Sequence, residues 1–195
     1  MSKEIKVYAN YDNFTIRVYQ AFNNSIADEA IQLGTFGSKF NFERMTWIKT
    51  SFLWMMYRSG WGTKKDQERI LAIDIQRMGF DGILSNAVLT TFNENVFISY
   101  EEWKSKLKHS EVRCQFDPDR DIYGSPINQR AIQLGLKGKM VRKYTKDWIV
   151  RIADLTNQVT KWRKQIEEGS FNAEVLTEEF EYPVCEKTRK LLGIE

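Results

Sequence analysis

The chain has 195 residues, 42% of them hydrophobic and 28% charged, and its net charge is +3. This length suits one globular domain, and the composition excludes a disordered or fibrous chain. The single histidine excludes a multi-histidine metal site, and the two cysteines, Cys114 and Cys185, lack metal or redox spacing. Neither a membrane-spanning run nor a signal core is present. We therefore expect a cytoplasmic protein with no bound metal and no membrane partner.

The first half of the chain predicts strands and short helices in mixed order. Apolar alternation or β-rich composition predicts three strands, over residues 4–9, 15–22 and 70–77. Capping residues predict helices over 26–33, from Thr50 or Ser51 to Tyr57 or Arg58, and from Ser99 through Trp103 and Leu107. Gly34 and Gly60 are expected to end the first two of these helices. A loop is expected over residues 34–43.

The second half gives a less regular pattern. We expect a helix over 80–88, a strand over 112–116 that a turn at 117–120 closes, and a helix from Ser125 to about Gly135. Residues 148–152 fit either a strand or a helix, and Val159, Trp162 and Ile166 predict an amphipathic helix. The sequence Ala-Ile-Gln-Leu-Gly occurs at 30–34 and at 131–135, and we interpret both copies as helix ends.

Helices and strands mix without a regular βαβ rhythm, which favours an α+β fold over a doubly wound one. The prediction is one compact domain over residues 1–168, with a mixed sheet and packed helices. Residues 169–195 are read as an acidic extension that docks on this domain through Tyr182 and Leu191 or Leu192. An ADP-ribosyltransferase-like arrangement is one form that this α+β fold could take.

The segment from Met45 to Gly62 is apolar almost all round, yet it contains cations and hydroxyls that need partners when buried. Helical phase places Ser51, Trp54, Arg58 and Trp61 on one face, and Phe52, Met55 and Met56 on a core face. An aromatic plane beside a guanidinium suits a stacked nucleobase or nicotinamide with a phosphate nearby. Lys49 and Ser51 lie where the helix begins, which favours an anion there. The alternative is that Trp54 is a core residue and Arg58 pairs with a surface acid.

Arg17 is the second candidate for a ligand contact, since strand period places it on one face with Tyr19. An arginine in a β-rich apolar segment needs a carboxylate, carbonyl groups or a ligand phosphate. A structural salt bridge is the equally weighted alternative. Convergence of Arg17, Lys49, Ser51 and Arg58 on one cavity, with Trp54 or Trp61 in its wall, is therefore the structural expectation.

Residues 137–164 are rich in Lys and Arg, and an acidic stretch follows them. A basic segment with aromatic residues can follow a nucleic-acid backbone and stack bases. The residues proposed for such contacts are Lys139, Arg142, Lys143 and Lys146. The alternative interpretation is that the basic and acidic stretches are solvated surfaces of neighbouring elements.

Five sequence features together resemble domain-of-unknown-function family 4291. They are TIRVYQAF, MTWIKTSFLWMMYRSGWG, the Gln67-Glu68 pair that follows it, QFDPDR and RAIQLGL. The resemblance covers nearly the whole chain in the same order. Thr50 stands where that family is expected to have Pro, and Phe116 where it is expected to have Trp. The resemblance implies a small intracellular single-domain protein and carries no activity with it.

The leading hypothesis is an enzyme that binds a nucleotide or another phosphate-bearing small molecule, with NAD as the cofactor. It would resemble an NAD-dependent ADP-ribosyltransferase acting on nucleic acid or protein. Such enzymes use an early-strand Arg or His, an aromatic side chain for nicotinamide and a late Glu. Arg17, Trp54 or Tyr57, and a C-terminal glutamate such as one in Glu179-Phe180-Glu181 are the candidates. The alternative is a non-catalytic module that binds RNA or DNA through residues 137–164.

Overall fold

The computed structural model describes residues 5–194, and a mixed seven-stranded sheet runs through it in the order β5-β6-β7-β3-β2-β4-β8. The strands of this sheet are β2 (Thr15–Phe22), β3 (Thr46–Lys49), β4 (Arg69–Gln76), β5 (Ala87–Leu89), β6 (Val112–Arg120), β7 (Pro126–Leu136) and β8 (Ile149–Asp154). Only the β5–β6 pair is parallel. Strands β1 (Tyr8–Ala9) and β9 (Phe180–Glu181) form a separate antiparallel pair. The architecture is α+β, as predicted.

Seven α-helices pack on the sheet in the described part of the chain. They are α1 (Asn24–Leu33), α2 (Phe52–Ser59), α3 (Arg77–Ser85), α4 (Tyr100–His109), α5 (Gly138–Lys143), α6 (Thr156–Glu167) and α7 (Glu186–Leu192). A π-helical turn (Tyr144–Trp148) extends α5, and a 3₁₀ turn (Ala173–Val175) follows α6. Side-chain caps fix three helix starts, because Asn23, Ser51 and Ser99 accept hydrogen bonds from the backbone N–H groups of their first turns.

The two faces of the sheet differ in character. One face packs on the main hydrophobic core, where Ile16, Val18, Ile73 and Leu134 are fully buried against helices that include α1, α3 and α5. The opposite face has a smaller apolar cluster in which α2 and α6 cover β2 and β4, with Tyr19, Phe52, Met55, Met56, Ile70 and Val159 buried. Beyond α2, over β3, β7 and β6, this second face borders a large cavity.

The predicted elements that local signals define are observed. These are β2, the helices α1, α2, α4 and α6, and the strand β4, with ends shifted by at most three residues. Helix α3 begins at Arg77, three residues before the predicted start, and β8 settles the ambiguity at 148–152 as a strand. Only Tyr8–Ala9 of the first predicted strand is extended and paired, and Glu4 lies outside the described residues.

The helix predicted from Ser125 to Gly135 is wrong, because this segment is the eleven-residue strand β7. The turn predicted at 117–120 is also wrong, since β6 continues to Arg120 and the hairpin turn lies at Asp121–Ser125. Asp121 accepts hydrogen bonds from the Tyr123 and Ser125 N–H groups in that turn. Pro118 lies beside a register shift in the β6–β7 pairing, an irregularity at which a strand tolerates proline.

The two copies of Ala-Ile-Gln-Leu-Gly therefore adopt different structures. The first copy ends α1, where Gly34 adopts a left-handed conformation with φ of 68°. The second copy lies in the middle of β7, so its interpretation as a helix end is wrong. Pairing of β7 with β3 and β6 on its two sides outweighs the local helical pattern.

The C-terminal segment contacts the body of the protein at several points. Strand β9 pairs with β1, and the buried Tyr182 hydroxyl donates a hydrogen bond to Asp81 of α3 at 2.8 Å. Leu192 of α7 is fully buried in the main core. These contacts attach the residues after 168 to the rest of the protein. The domain boundary proposed at residue 168 stays a prediction.

Leu192→Ala should lower the free energy of unfolding by about 2–5 kcal/mol, because it removes a fully buried side chain and leaves a cavity. Val175→Ala is the matched control, since Val175 is 51% exposed and its truncation should change stability by less than about 0.5 kcal/mol. Urea denaturation of both variants measures the difference. Equal, near-zero effects would show that α7 does not contribute to the core.

Candidate functional site

A cavity of about 1010 Å³ lies between α2 and the second face of β3, β7 and β6, and residues from the segments 40–46 and 65–67 contribute to its lining. Its lining includes five cationic side chains, Arg44, Lys49, Arg58, Lys65 and Arg120, and two acidic ones, Asp66 and Asp117. This size is at the upper end of the range for small-molecule sites. The excess of cations favours an anionic ligand.

One wall of the cavity is a stack of aromatic rings covered by a guanidinium group. The rings of Trp54 and Tyr57 stack at a centroid distance of 5.4 Å and an angle of 27°. The Arg120 Cζ atom lies 4.1 Å from the Tyr57 ring centre and 5.5 Å from that of Trp54. Trp54 Nε1 and Arg120 Nε are buried and find no hydrogen-bond partner within residues 5–194. Both atoms are enclosed within the wall, so a ligand in the cavity would reach them only after a rearrangement of these side chains.

Lys49 is the most unusual charged residue of the cavity. Its side chain is only 7% exposed, and its Nζ donates a hydrogen bond to the Trp47 carbonyl at 3.3 Å. Burial, followed by the charge of Arg58, lowers the pKa of Lys49 to about 8. Within the described residues no carboxylate forms an ion pair with it. A buried cation of this kind lacks its counter-charge.

A group of hydrogen-bond acceptors faces the same cavity from β6 and β7. The Asp117 carboxylate accepts hydrogen bonds from Gln115 Nε2 at 2.9 Å and from Gln133 Nε2 at 2.8 Å. All three residues line the cavity. The sequence prediction did not bring them together, because it interpreted residues 117–120 as a turn and the segment from Ser125 to about Gly135 as a helix. Polar residues at every second position, Gln115 and Asp117, were the available signal for a half-polar strand.

The predicted convergence of cations is only partly observed. Lys49, Trp54 and Arg58 line the cavity together, whereas Arg17, Tyr19 and Ser51 are outside its lining. Trp61 is also outside, because the chain leaves the helix at Gly60 and the Trp61 ring packs against Phe52 at a centroid distance of 6.1 Å.

Arg17 forms a two-point ion pair with Asp74, the residue directly opposite on β4. The Arg17 Nε and Nη2 atoms donate to the two Asp74 oxygens at 2.7 and 2.9 Å. This hydrogen-bonded charge raises the pKa of Arg17. Of the two interpretations of Arg17, the structure therefore agrees with the structural salt bridge.

Tyr19 and Ser51 also have structural contacts. Tyr19 is buried against Phe52 in the smaller apolar cluster, and burial raises its pKa. Ser51 caps α2 by accepting from the Trp54 N–H, and its hydroxyl donates to Asp119 at 2.9 Å. Neither side chain borders the cavity, so neither can contact a ligand there directly. Both can only influence the cavity by holding α2 in place.

The basic residues proposed for nucleic-acid contacts lie on one stretch of surface. Lys139, Arg142, Lys143 and Lys146 are all exposed on α5 and the π-helical turn. Arg142 pairs with Glu43 at 2.8 Å. The aromatic residues of the segment point elsewhere, because Tyr144 is fully buried, Trp148 covers Gly79, and Trp162 packs on Phe52. This surface therefore has charge without stacking rings.

Two carboxyl groups meet at the start of α2. Glu179 accepts a hydrogen bond from the Phe52 N–H at 2.7 Å, and Asp119 accepts from Ser51 and from the Arg120 N–H. Burial raises the pKa of Glu179 to about 8, and the charge of the nearby Asp119 adds to this effect. The hydrogen bond from the Phe52 N–H lowers the pKa, but by less. Burial also raises the pKa of Asp119. The C-terminal segment thus places a carboxyl group at the start of the helix that forms the aromatic wall.

Glu179→Gln should flatten the dependence of stability on pH. The folded-state pKa of Glu179 is raised above its ordinary value, so the folded protein binds more protons between about pH 4.5 and 8 and loses stability as pH rises through that window. Glutamine keeps the acceptor for Phe52 without the charge, and should stabilise the protein above pH 8 by on the order of 1–2 kcal/mol.

Urea denaturation between pH 5 and 9 measures this effect, with Glu178→Gln as the matched control. Glu178 is the exposed neighbour, so its variant should keep the wild-type pH dependence. Parallel curves for Glu179→Gln and the wild type would contradict the assignment of a raised pKa to Glu179.

The fold and the cavity define an α+β protein with a mainly cationic, aromatic-walled cavity. The chain belongs to the family described as "Domain of unknown function (DUF4291)", whose sequence model matches residues 6–182. No curated protein matches the sequence. In residues 5–194, no helix is long and apolar enough to cross a membrane, and no group of three or more His, Cys, Asp or Glu side chains is placed to hold a metal ion.

Proposed function

We propose that this protein binds a nucleotide in the cavity between α2 and β3, β7 and β6, with NAD as the first candidate ligand. The observation that carries the proposal is Lys49, a buried cation that borders the cavity beside Arg58 and has no carboxylate partner in the described residues. Burying such a charge is unfavourable unless an anion compensates it. A phosphate group between Lys49 and Arg58 would supply the missing charge.

The aromatic wall supports a nucleotide over a simple phosphate. Stacked Trp54 and Tyr57 rings, with Arg120 over them, offer flat surfaces to a nucleobase or a nicotinamide ring. Volume, charge and aromatic surface agree on a ligand larger than an inorganic anion.

The reaction we propose to test first is NAD-dependent ADP-ribosyl transfer to nucleic acid or protein. Trp54 and Tyr57 supply the aromatic contact that such a reaction needs. Two observations weigh against it, because Arg17 is held by Asp74 and no glutamate in residues 5–194 lines the cavity. Nucleotide binding is therefore the stronger part of the proposal. The two cysteines are free, which fits the cytoplasm as the proposed place of action.

NAD at ~100 times its Kd should stabilise the protein by roughly 2.7 kcal/mol in a thermal-shift assay. Because Lys49 must be charged to pair with phosphate, affinity should fall by about tenfold per pH unit above pH 8, where its amine loses the proton. Lys49→Met should bind NAD weakly, with a flat pH profile. Its stability without ligand should equal or exceed that of the wild type below pH 8, because an uncompensated buried charge is gone.

Lys65→Met is the matched control, because Lys65 lines the same cavity from an exposed position. That variant also loses one positive charge, yet it should keep the decline of affinity above pH 8. Titration calorimetry from pH 6.5 to 9.5 compares the three proteins. Absence of any stabilisation by NAD, ADP-ribose or ATP would refute the proposal, and an unchanged affinity in Lys49→Met would remove Lys49 from the site.

A second candidate function is RNA or DNA binding through residues 137–164. The observation that favours it is the shared exposure of Lys139, Arg142, Lys143 and Lys146 on one stretch of surface. Phosphate contacts alone would give weak, salt-dependent binding without sequence preference. The inward packing of Tyr144, Trp148 and Trp162 removes the stacking contribution that the sequence pattern suggested.

Replacing Lys139, Arg142, Lys143 and Lys146 with Gln should weaken RNA or DNA binding and flatten its salt dependence, by a slope of roughly 0.9 per lost phosphate contact. NAD binding should stay unchanged, because the cavity lies elsewhere. The charge-matched control replaces four other exposed lysines, Lys104, Lys106, Lys108 and Lys187. Fluorescence anisotropy from ~50 mM salt upward distinguishes the two variants, and equal losses would indicate a non-specific charge effect.

A further inference from the structure

Strand register places an acceptor group and a cation on the same floor of the cavity. Lys49 of β3 is paired with Gln133 of β7, which in turn is paired with Gln115 of β6. Paired residues point to the same face of a sheet, as do residues two apart in one strand, so Asp117 belongs to this face too. Lys49 and Asp117 are two strand spacings apart across the sheet and two residues apart along it, which gives a separation of roughly 12 Å.

The Asp117 carboxylate is oriented by neutral donors and not by a cation. Gln115 and Gln133 each donate one amide hydrogen to a different Asp117 oxygen. Each carboxylate oxygen has two lone pairs, so both oxygens keep a free acceptor position. No Lys or Arg in the described residues forms an ion pair with Asp117, although the cavity contains five. The result is a carboxylate acceptor, held in a fixed orientation, in a cavity whose charged side chains are mostly cationic.

We propose that Asp117 binds the vicinal 2′- and 3′-hydroxyls of a ribose, which makes it the residue that selects ribonucleotides over sugar-deoxy analogues. This inference rests on the proposed nucleotide function and adds the recognition of the sugar. A carboxylate repels phosphate, so the phosphates belong at Lys49 and Arg58, and the aromatic wall takes the base. Ribose is the neutral part of a nucleotide with two adjacent donors, and these match the two free acceptor positions.

The spacing of the groups agrees with this arrangement. A ribose bound at Asp117 and a phosphate bound at Lys49 would be separated by roughly 12 Å. A nucleoside di- or triphosphate covers such a distance through its pyrophosphate group, whereas inorganic phosphate cannot reach both groups. Gln115 and Gln133 are positioning residues here, since they hold the carboxylate through its other lone pairs.

Titration calorimetry with ATP and with 2′,3′-dideoxy-ATP tests the proposal on the wild-type protein. We expect ATP to bind at least about tenfold more tightly, because two charge-assisted hydrogen bonds are lost with the hydroxyls. Asp117→Asn should reduce this ratio to below about threefold. The matched control is Asp66→Asn, which removes the other negative charge of the cavity and should keep the wild-type ratio.

The possible results separate this inference from the proposed function. Equal affinities of the wild type for the two nucleotides would overturn the role of Asp117 while leaving nucleotide binding intact. A wild-type ratio retained in Asp117→Asn would likewise overturn it. Failure of the wild type to bind either nucleotide would overturn this inference, whereas the proposed function is refuted only if NAD and ADP-ribose also fail to stabilise the protein. The wild-type comparison decides the question even if Asp117→Asn does not fold, which its melting temperature shows directly.

Discussion

The register of β7 between β3 and β6 is the constraint on which the cavity depends. Side chains alternate between the two faces of a strand, so a slip of one residue would exchange the two sets completely. Ile48 and Leu134 face the main core, and that burial fixes the register. Lys49 and Gln133 are the chain neighbours of Ile48 and Leu134, so they are paired with each other on the opposite face, which borders the cavity. Apolar packing on one side thus determines polar geometry on the other.

The parts of the fold that could be predicted from the sequence are those that local chemistry specifies. Ser51 and Ser99 predict helix starts, because their side chains accept hydrogen bonds from backbone N–H groups of the first helical turn. Strand β7 lacks such a local signal, since its stability comes from pairing with two distant strands. The residues of the candidate site likewise fall into those that local sequence could predict and those that depend on strand pairing. Helical phase brought Trp54 and Arg58 into one prediction, whereas recognising Asp117 required the β6–β7 pairing.

Arg17 illustrates a different limit of sequence reasoning. Its position on β2 and its need for an anion were both evident, and the two possible partners, a carboxylate or a ligand, were left open. Asp74 is 57 positions away in the chain, and only the β2–β4 register places it opposite. A charge in a strand therefore predicts that a partner exists without saying whether the protein or a ligand provides it. For Lys49 the protein provides none within the described residues, and that difference separates the two cations.

The geometry of the aromatic wall depends on contacts from both neighbouring segments. Ser51 ties the start of α2 to Asp119 at the end of β6, and the next residue, Arg120, lies over the Tyr57 ring. Glu179 holds the same helix start from the C-terminal segment. Other buried polar groups have hydrogen-bond partners, as Gln20 does through Thr46 and Tyr144. Two of the four buried side-chain donors without partners in residues 5–194 belong instead to the wall, on Trp54 and Arg120. The other two, on Arg113 and Arg130, lie outside the lining of this cavity, so an unpaired donor by itself does not locate a ligand.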